Sequence, residues 1–113
     1  MAIAPGTYDF TVQKRADHNI QLAFKDSSNA VINLTGATVS SQIWDAERAN
    51  KYADFSITYT NRTGGIVDLK LTDAQTATFP LKDLKYDVLV TDSNGLKDYY
   101  LEGTVYVDEG YST

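Results

Sequence analysis

The sequence contains no cysteine, one histidine and two prolines. The absence of cysteine excludes a disulfide framework, a cysteine-based zinc site and a thiol nucleophile. The lone histidine, His18, lies in the polar segment 16–19 and is predicted to be a solvated turn residue. Because metal sites and catalytic triads combine histidine with several converging partners, an isolated histidine supports neither.

Basic clusters and long apolar runs are also missing. Lys14-Arg15 is the longest basic run, and the net charge is −5. Sequence-independent binding to the phosphates of a nucleic acid needs a clustered basic face, so a nucleic-acid partner is not predicted. No apolar run approaches the ~20 residues that span a bilayer, and Met1–Pro5 lacks the parts of a signal peptide. We therefore expect neither a membrane partner nor general secretory export.

The sequence does contain regular alternation of apolar and polar residues. Such segments recur between turn signals spaced roughly every ten residues, which indicates about seven short strands. This pattern predicts an all-β fold, an antiparallel immunoglobulin-like β-sandwich, with a small closed barrel as the alternative. The length suits one domain over residues 1–113, with residues 1–5 as a flexible N-terminal arm and residues 108–113 as a C-terminal tail.

The segment 65–76 contains the clearest local signals. Val67, Leu69 and Leu71 fall on one face of a predicted central strand. Thr72 is a good helix N-cap, and Gln75 completes a capping box with it. We therefore predict one short helical turn near 72–78.

Residues 45–54 have the least strand-like composition, because they are rich in Ala, Glu, Lys and Arg. We expect a short helical turn or a mobile loop there. This loop and the N-terminal arm are the segments expected to become ordered on binding a partner.

The search for catalytic chemistry finds no nucleophile motif. There is no Gly-x-Ser-x-Gly elbow, and Gly64-Gly65 precedes a strand instead of the helix that a phosphate loop needs. Four acidic residues are candidates for an acid–base pair or a calcium site: Asp87, Asp92, Asp98 and Glu102. The segment 92–95 is interpreted as a hairpin turn, since it lacks the length and closing Glu of a calcium loop. We predict no catalytic residue, no metal and no cofactor, and hence no enzyme.

The aromatic residues suggest a surface function. Trp44, Tyr100 and Tyr106 fall on strand faces that otherwise read as polar. Tyr and Trp are common where proteins meet, because each buries a large ring and keeps a polar group. Packing within the chain and stacking on sugars are the alternatives. The predicted interface residues are Met1, Ala2, Ile3, Ala4, Pro5, Trp44, Tyr52, Tyr100 and Tyr106.

Several motifs together resemble a domain found in tailed-bacteriophage virion proteins. The matching segments, within residues 20–107, are Phe24-Lys25-Asp26, residues 33–37 (NLTGA), residues 65–72 (GIVDLKLT) with Gln75-Thr76, Tyr86-Asp87, Gly95 and residues 101–107 (LEGTVYV). Their order and spacing are similar to those of the immunoglobulin-like N-terminal domain of siphophage baseplate upper proteins.

This resemblance implies a non-enzymatic structural role in a virion. It implies partners among capsid or tail subunits, many copies or a homo-oligomer, and a capsid-decoration, neck or tail/baseplate position. Baseplate upper proteins continue beyond this domain into parts that hold the receptor-binding protein, whereas this sequence ends shortly after its last predicted strand. An accessory subunit is therefore expected. A carbohydrate-binding module on a tail or surface appendage, with Trp44, Tyr100 and Tyr106 as stacking residues, is the alternative.

Overall fold

The computed structural model describes residues 6–26 and 28–111, and within these ranges the chain forms nine β-strands and one short helix. In chain order these elements are β1 (Gly6–Thr7), β2 (Phe10–Gln13), β3 (His18–Ala23), β4 (Thr38–Trp44), β5 (Lys51–Asp54), β6 (Ser56–Asn61), β7 (Ile66–Leu71), α1 (Asp73–Thr76), β8 (Leu84–Thr91) and β9 (Lys97–Asp108). The larger sheet has the order β1-β9-β8-β4-β5, with β2 also paired to β9. The smaller sheet has the order β3-β7-β6.

The two sheets bury one hydrophobic core between them. Val39 and Ile43 of β4 contribute to it from the larger sheet, and Val67, Leu69 and Leu71 of β7 from the smaller one. Among the described strands, none pairs from one sheet to the other, so the sheets form a sandwich and not a closed barrel. The predicted all-β sandwich is confirmed.

Strand pairing departs from the antiparallel expectation at one edge of the larger sheet. Both β1 and β2 pair with β9 in parallel, whereas β9 pairs with β8 antiparallel. A parallel pair needs a long connection between its strands, and here nearly the whole sandwich separates the N-terminal strands from β9. The predicted first strand, residues 6–14, is also interrupted at residues 8–9.

The helical turn lies where the capping box predicted it. The Thr72 hydroxyl accepts from the Gln75 backbone N–H at 3.2 Å, and the Gln75 side-chain oxygen accepts from the Thr72 N–H at 2.9 Å. Thr76 at the end of α1 is buried, and its hydroxyl donates to the carbonyl oxygen of Ala16 at 2.9 Å. Within the described part of the chain, no helix is long and apolar enough to cross a membrane.

The prediction of a helical turn or mobile loop at 45–54 is wrong for residues 51–54, which form β5, while residues 45–50 form the turn that joins β4 to β5. Asp45 is buried, and its carboxylate accepts the backbone N–H groups of Ala49 at 2.7 Å and Asn50 at 3.2 Å. It also accepts from the Asn50 side chain at 3.0 Å. The turn thus closes on one acidic side chain, and local composition did not reveal that contact.

Candidate functional site

A groove of about 690 Å³ lies on the outer face of the larger sheet, across β1, β9, β8 and β4. Side chains that strand alternation directs away from the core form most of its lining. These are Thr7, Ser40, Gln42, Trp44, Lys85, Asp87, Leu89, Tyr99, Glu102 and Thr104, joined by Asp9 and Arg48 from the connections. The groove is therefore built largely on rigid strands.

Three cross-strand rows meet in the groove. Their members, taken across β4, β8 and β9, are Ser40-Leu89-Tyr99, Gln42-Asp87-Glu102 and Trp44-Lys85-Thr104. The middle row places two carboxylate side chains directly opposite each other on neighbouring strands. Like charges in that position destabilise a sheet.

The electrostatics of the groove centre on Asp87. Burial raises the pKa of this carboxyl above its ordinary value, and the negative charge of Glu102 raises it further, whereas Arg48 acts to lower it. Lys85, in the adjacent row, donates to the hydroxyl of Thr104 at 2.8 Å. The nearby cations therefore leave the two carboxylates incompletely compensated.

Trp44 forms one wall of the groove. Its indole Nε1–H donates to Oε1 of Gln42 at 3.0 Å, and the Arg48 guanidinium carbon lies 4.8 Å from the ring centroid. The turn that closes on Asp45 holds Arg48 at a positive φ of 57° and places it above the indole. A cation in that position is attracted by the ring face.

The connection between β1 and β2 crosses close to β9 at Gly103. A Cβ on Gly103 would lie 2.0 Å from the carbonyl oxygen of Tyr8, so only glycine permits this approach. The Tyr86 hydroxyl donates to that same carbonyl oxygen at 2.5 Å, and burial, followed by Tyr8 and Asp9, raises the pKa of Tyr86. Asp9 accepts the backbone N–H of Thr104 at 2.8 Å. These contacts fix one end of the groove.

Two of the predicted interface aromatics lie on the outer face. Trp44 lines the groove and is partly buried. Tyr106 is 42% exposed and lies on the same face of β9 as Glu102 and Thr104, beyond the groove. Their role in an interface stays a prediction.

Tyr52 and Tyr100 are not on the outer face, because each is the extra residue of a β-bulge. The register shifts between Ile43 and Trp44 leave Tyr52 without a partner on β4, and its ring meets Phe79 edge-on at 6.5 Å. A second shift in the β8–β9 pair leaves Tyr100 unpaired and directs it toward the core. A bulge re-aims a side chain in this way, so the assignment of Tyr100 to the polar face by alternation was wrong. A role of Tyr52 or Tyr100 in an interface stays a prediction.

The β9 bulge also changes the neighbouring ring. Tyr99 pairs with Leu89, lines the groove and is 51% exposed. Strict alternation along residues 97–107 would instead place it inward, on the face of the buried Val105. The exposed tyrosine of this face is therefore Tyr99 and not Tyr100.

The other predicted positions are placed as follows. Residues Met1, Ala2, Ile3, Ala4 and Pro5 lie outside the described residues. His18 is not a solvated turn residue, because it begins β3 and stacks on Phe10 with ring centroids 4.9 Å apart. In the predicted tail, Glu109 accepts from Arg15 at 3.1 Å. Burial lowers the pKa of His18.

Asp87 and Glu102 are two of the four acidic candidates, and the sequence did not show which of the four lie together. The hairpin at 92–95 supplies a partial signal, because it sets the register of β8 against β9. A regular ladder counted from that hairpin would pair Asp87 with Leu101. The bulge at Tyr100 shifts the register by one residue and brings Glu102 opposite Asp87 instead.

The groove is chemically an acceptor of positive charge and of hydrogen bonds. Asp87 and Glu102 offer carboxylate oxygens, and Gln42 adds an amide. Within residues 6–26 and 28–111, no group of three or more His, Cys, Asp or Glu side chains is arranged to hold a metal ion.

No protein-family model and no curated protein matches the chain. Among solved structures, the chain is similar to one in the crystal structure of ICOS in complex with ICOS-L and an anti-ICOS-L VNAR domain. The TM-score is 0.58 at 12% identity, over 92% of this chain and 56% of that chain. At this identity the likeness bears on the fold alone. The chain is an all-β, immunoglobulin-like sandwich.

Proposed function

We propose that this chain is a non-enzymatic structural or accessory protein of a phage virion, as a capsid-decoration, neck or tail/baseplate subunit. Its partners are other virion proteins, and it acts through protein–protein contacts. The observation that carries the proposal is the ordered set of motifs between residues 20 and 107 that resembles baseplate upper proteins.

The residues of these motifs stabilise the fold, which is what a structural subunit requires. Thr72 and Gln75 form the capping box of α1, and Leu34 is fully buried. Gly36 and Gly95 have φ values of 78° and 82°, a backbone region that favours glycine. The resemblance thus concerns how the domain folds.

A subunit of this kind stabilises a particle by binding only the assembled form. Each contact adds its binding free energy to the assembly by mass action, and repetition over many copies multiplies the effect. A rigid sandwich serves this role because little conformational entropy is lost when it docks.

The test is to locate the chain on particles. Phage particles purified from a culture that produces the chain are analysed by mass spectrometry and by immunogold labelling with an antibody against it. We expect the chain to copurify with particles at a fixed stoichiometry and to label one part of them. A chain found only in the particle-free fraction would overturn the proposal.

A carbohydrate-binding module is a second candidate function. The position of Trp44 beside Gln42 and Asp87 favours it, because an aromatic ring next to polar acceptors suits a sugar. Tyr100 and Tyr106 no longer belong to that platform, since one packs inward and the other lies beyond the groove. A glycan array followed by titration of Trp44 fluorescence distinguishes the two functions. A saturable fluorescence response of the wild type, together with loss of glycan-array binding in Trp44→Ala, would favour the sugar site.

A further inference from the structure

The middle row of the groove contains a pair of acidic side chains whose charges are only partly compensated by nearby cations. Asp87 and Glu102 lie opposite each other on β8 and β9. In the part of the chain that the structure describes, the ion pairs are Arg15–Glu109 and Lys51–Asp54, and neither includes these two carboxylates. The isolated chain therefore holds two like charges side by side without a direct cationic partner.

The cations nearest this pair are engaged elsewhere. Arg48 lies over the Trp44 ring, and Lys85 donates to Thr104. The raised pKa of Asp87 agrees with this arrangement, because burial and Glu102 outweigh the influence of Arg48. A cation supplied from outside would remove the repulsion and gain two charge-assisted contacts.

The surroundings of the pair fit a protein partner. Trp44 lies in the row on one side, and Tyr99 and Leu89 lie in the row on the other. Rings of Trp and Tyr around a polar centre are typical of binding hot spots, and arginine is among the residues enriched on such surfaces. The groove is open enough to admit a long side chain.

We propose that the groove binds a partner protein through an arginine or lysine side chain that enters between Asp87 and Glu102, while the partner's main chain lies across Trp44 and Tyr99. This inference rests on the proposed function and adds the chemistry of the partner to it. A second copy of the chain fits less well, because its net charge is also −5. A neutral sugar would leave the two carboxylates unpaired.

The first test uses an array of peptides that contain arginine or lysine. Each peptide that binds is compared in solution with a version in which citrulline replaces arginine, or acetyl-lysine replaces lysine. Binding is followed by the fluorescence of Trp44, which is the sole tryptophan of the chain and lines the groove. We expect the neutral peptide to bind at least about tenfold more weakly than the cationic one. Added salt should weaken the binding of the cationic peptide.

A pair of double variants identifies the site. Asp87→Asn with Glu102→Gln removes two negative charges inside the groove. Asp83→Asn with Asp108→Asn removes two from exposed positions outside it. We expect the first variant to lose about tenfold or more in peptide affinity and the second to change less than about twofold. Circular dichroism establishes that both are folded.

Four results of the binding experiments would overturn the inference. They are no response to any cationic peptide, equal binding by the groove variant, a saturable sugar response in the same assay, and a concentration-dependent dimer that the groove variant abolishes. The proposed function is tested separately by particle copurification. If the groove variant enters particles as the wild type does, the inference fails and the virion role stands.

Discussion

Tyr100 stacks on Phe24, with the two ring centroids 4.3 Å apart and the ring planes 24° from parallel. The Tyr100 hydroxyl donates to the carbonyl oxygen of Ala23 at 3.1 Å and accepts the backbone N–H of Lys25 at 3.2 Å. One bulged residue of β9 thus connects the larger sheet to the residues at the end of β3 and directly after it.

This contact predicts a graded loss of stability. Tyr100→Phe removes the hydroxyl from two backbone partners and should cost about 1 kcal/mol of unfolding free energy. Tyr100→Ala also removes the stacked ring and should cost about 2 kcal/mol or more. Urea denaturation measures both. Tyr106→Ala, at an exposed position of the same strand, is the control and should change stability by about 0.5 kcal/mol or less. Equal losses in all three variants would contradict the contact.

Two glycines with similar backbone angles should respond differently to alanine. Gly65 has a φ of 71°, and a Cβ there would lie 2.6 Å from the carbonyl oxygen of Ile32. Gly95 has a φ of 82° with nothing within 4 Å of a Cβ. Gly95→Ala should therefore cost only the backbone strain, about 1 kcal/mol, and Gly65→Ala clearly more, because the main chain must also shift. Thermal unfolding of the two variants would refute this if Gly95→Ala proved the more damaging.

Asp87 should oppose folding at neutral pH. Because its pKa is raised in the folded chain, the folded state binds this proton more tightly than the unfolded state does. That contribution to stability is present at low pH and is lost as the pH rises through the folded-state pKa. Asp87→Asn should therefore be more stable than wild type at pH 7.

Unfolding of both proteins from pH 3 to pH 8 measures this. The advantage of Asp87→Asn should shrink in acid, where the wild-type carboxyl is protonated. Asp83→Asn, an exposed change outside the groove, should match wild type throughout. A variant less stable than wild type at pH 7 would show that the Asp87 carboxylate is compensated in the folded chain.

The contribution of Asp45 to folding stability should depend on pH in the opposite direction to that of Asp87. Burial acts to raise its pKa, but hydrogen bonds from Ala49 and Asn50, with the charge of Lys82, outweigh burial and lower it. Its contribution is present above the ordinary carboxylate pKa and is lost as the pH falls through the lower folded-state value. Asp45→Ala should lower the urea midpoint at pH 7, and the gap from wild type should close in acid.

The matched control for this change is Glu47→Ala. Glu47 is exposed in the same turn. Glu47→Ala should therefore leave the urea midpoint unchanged at every pH. An equal effect of the two variants would show that the turn does not depend on the buried carboxylate.

Local sequence signals predicted much of the framework. The capping box of Thr72 and Gln75 and the inward face of β7 both follow from short-range preferences. Alternation likewise predicted a two-layer all-β fold, because period-two patterns bury one side of each strand. These features need only neighbours a few residues away.

Tertiary structure alone decided that Tyr99 and not Tyr100 faces outward, and which acids meet. The bulge at Tyr100 inserts one residue into β9, and with it Tyr99 moves outward, Tyr100 inward and Glu102 opposite Asp87. The parallel pairing of β1 and β2 with β9 joins residues from opposite ends of the sequence. The alternation of apolar and polar residues does not predict a bulge or a distant strand partner, because both depend on how whole strands pack. The sequence by itself therefore determined the layers, and the packed strands determined the groove.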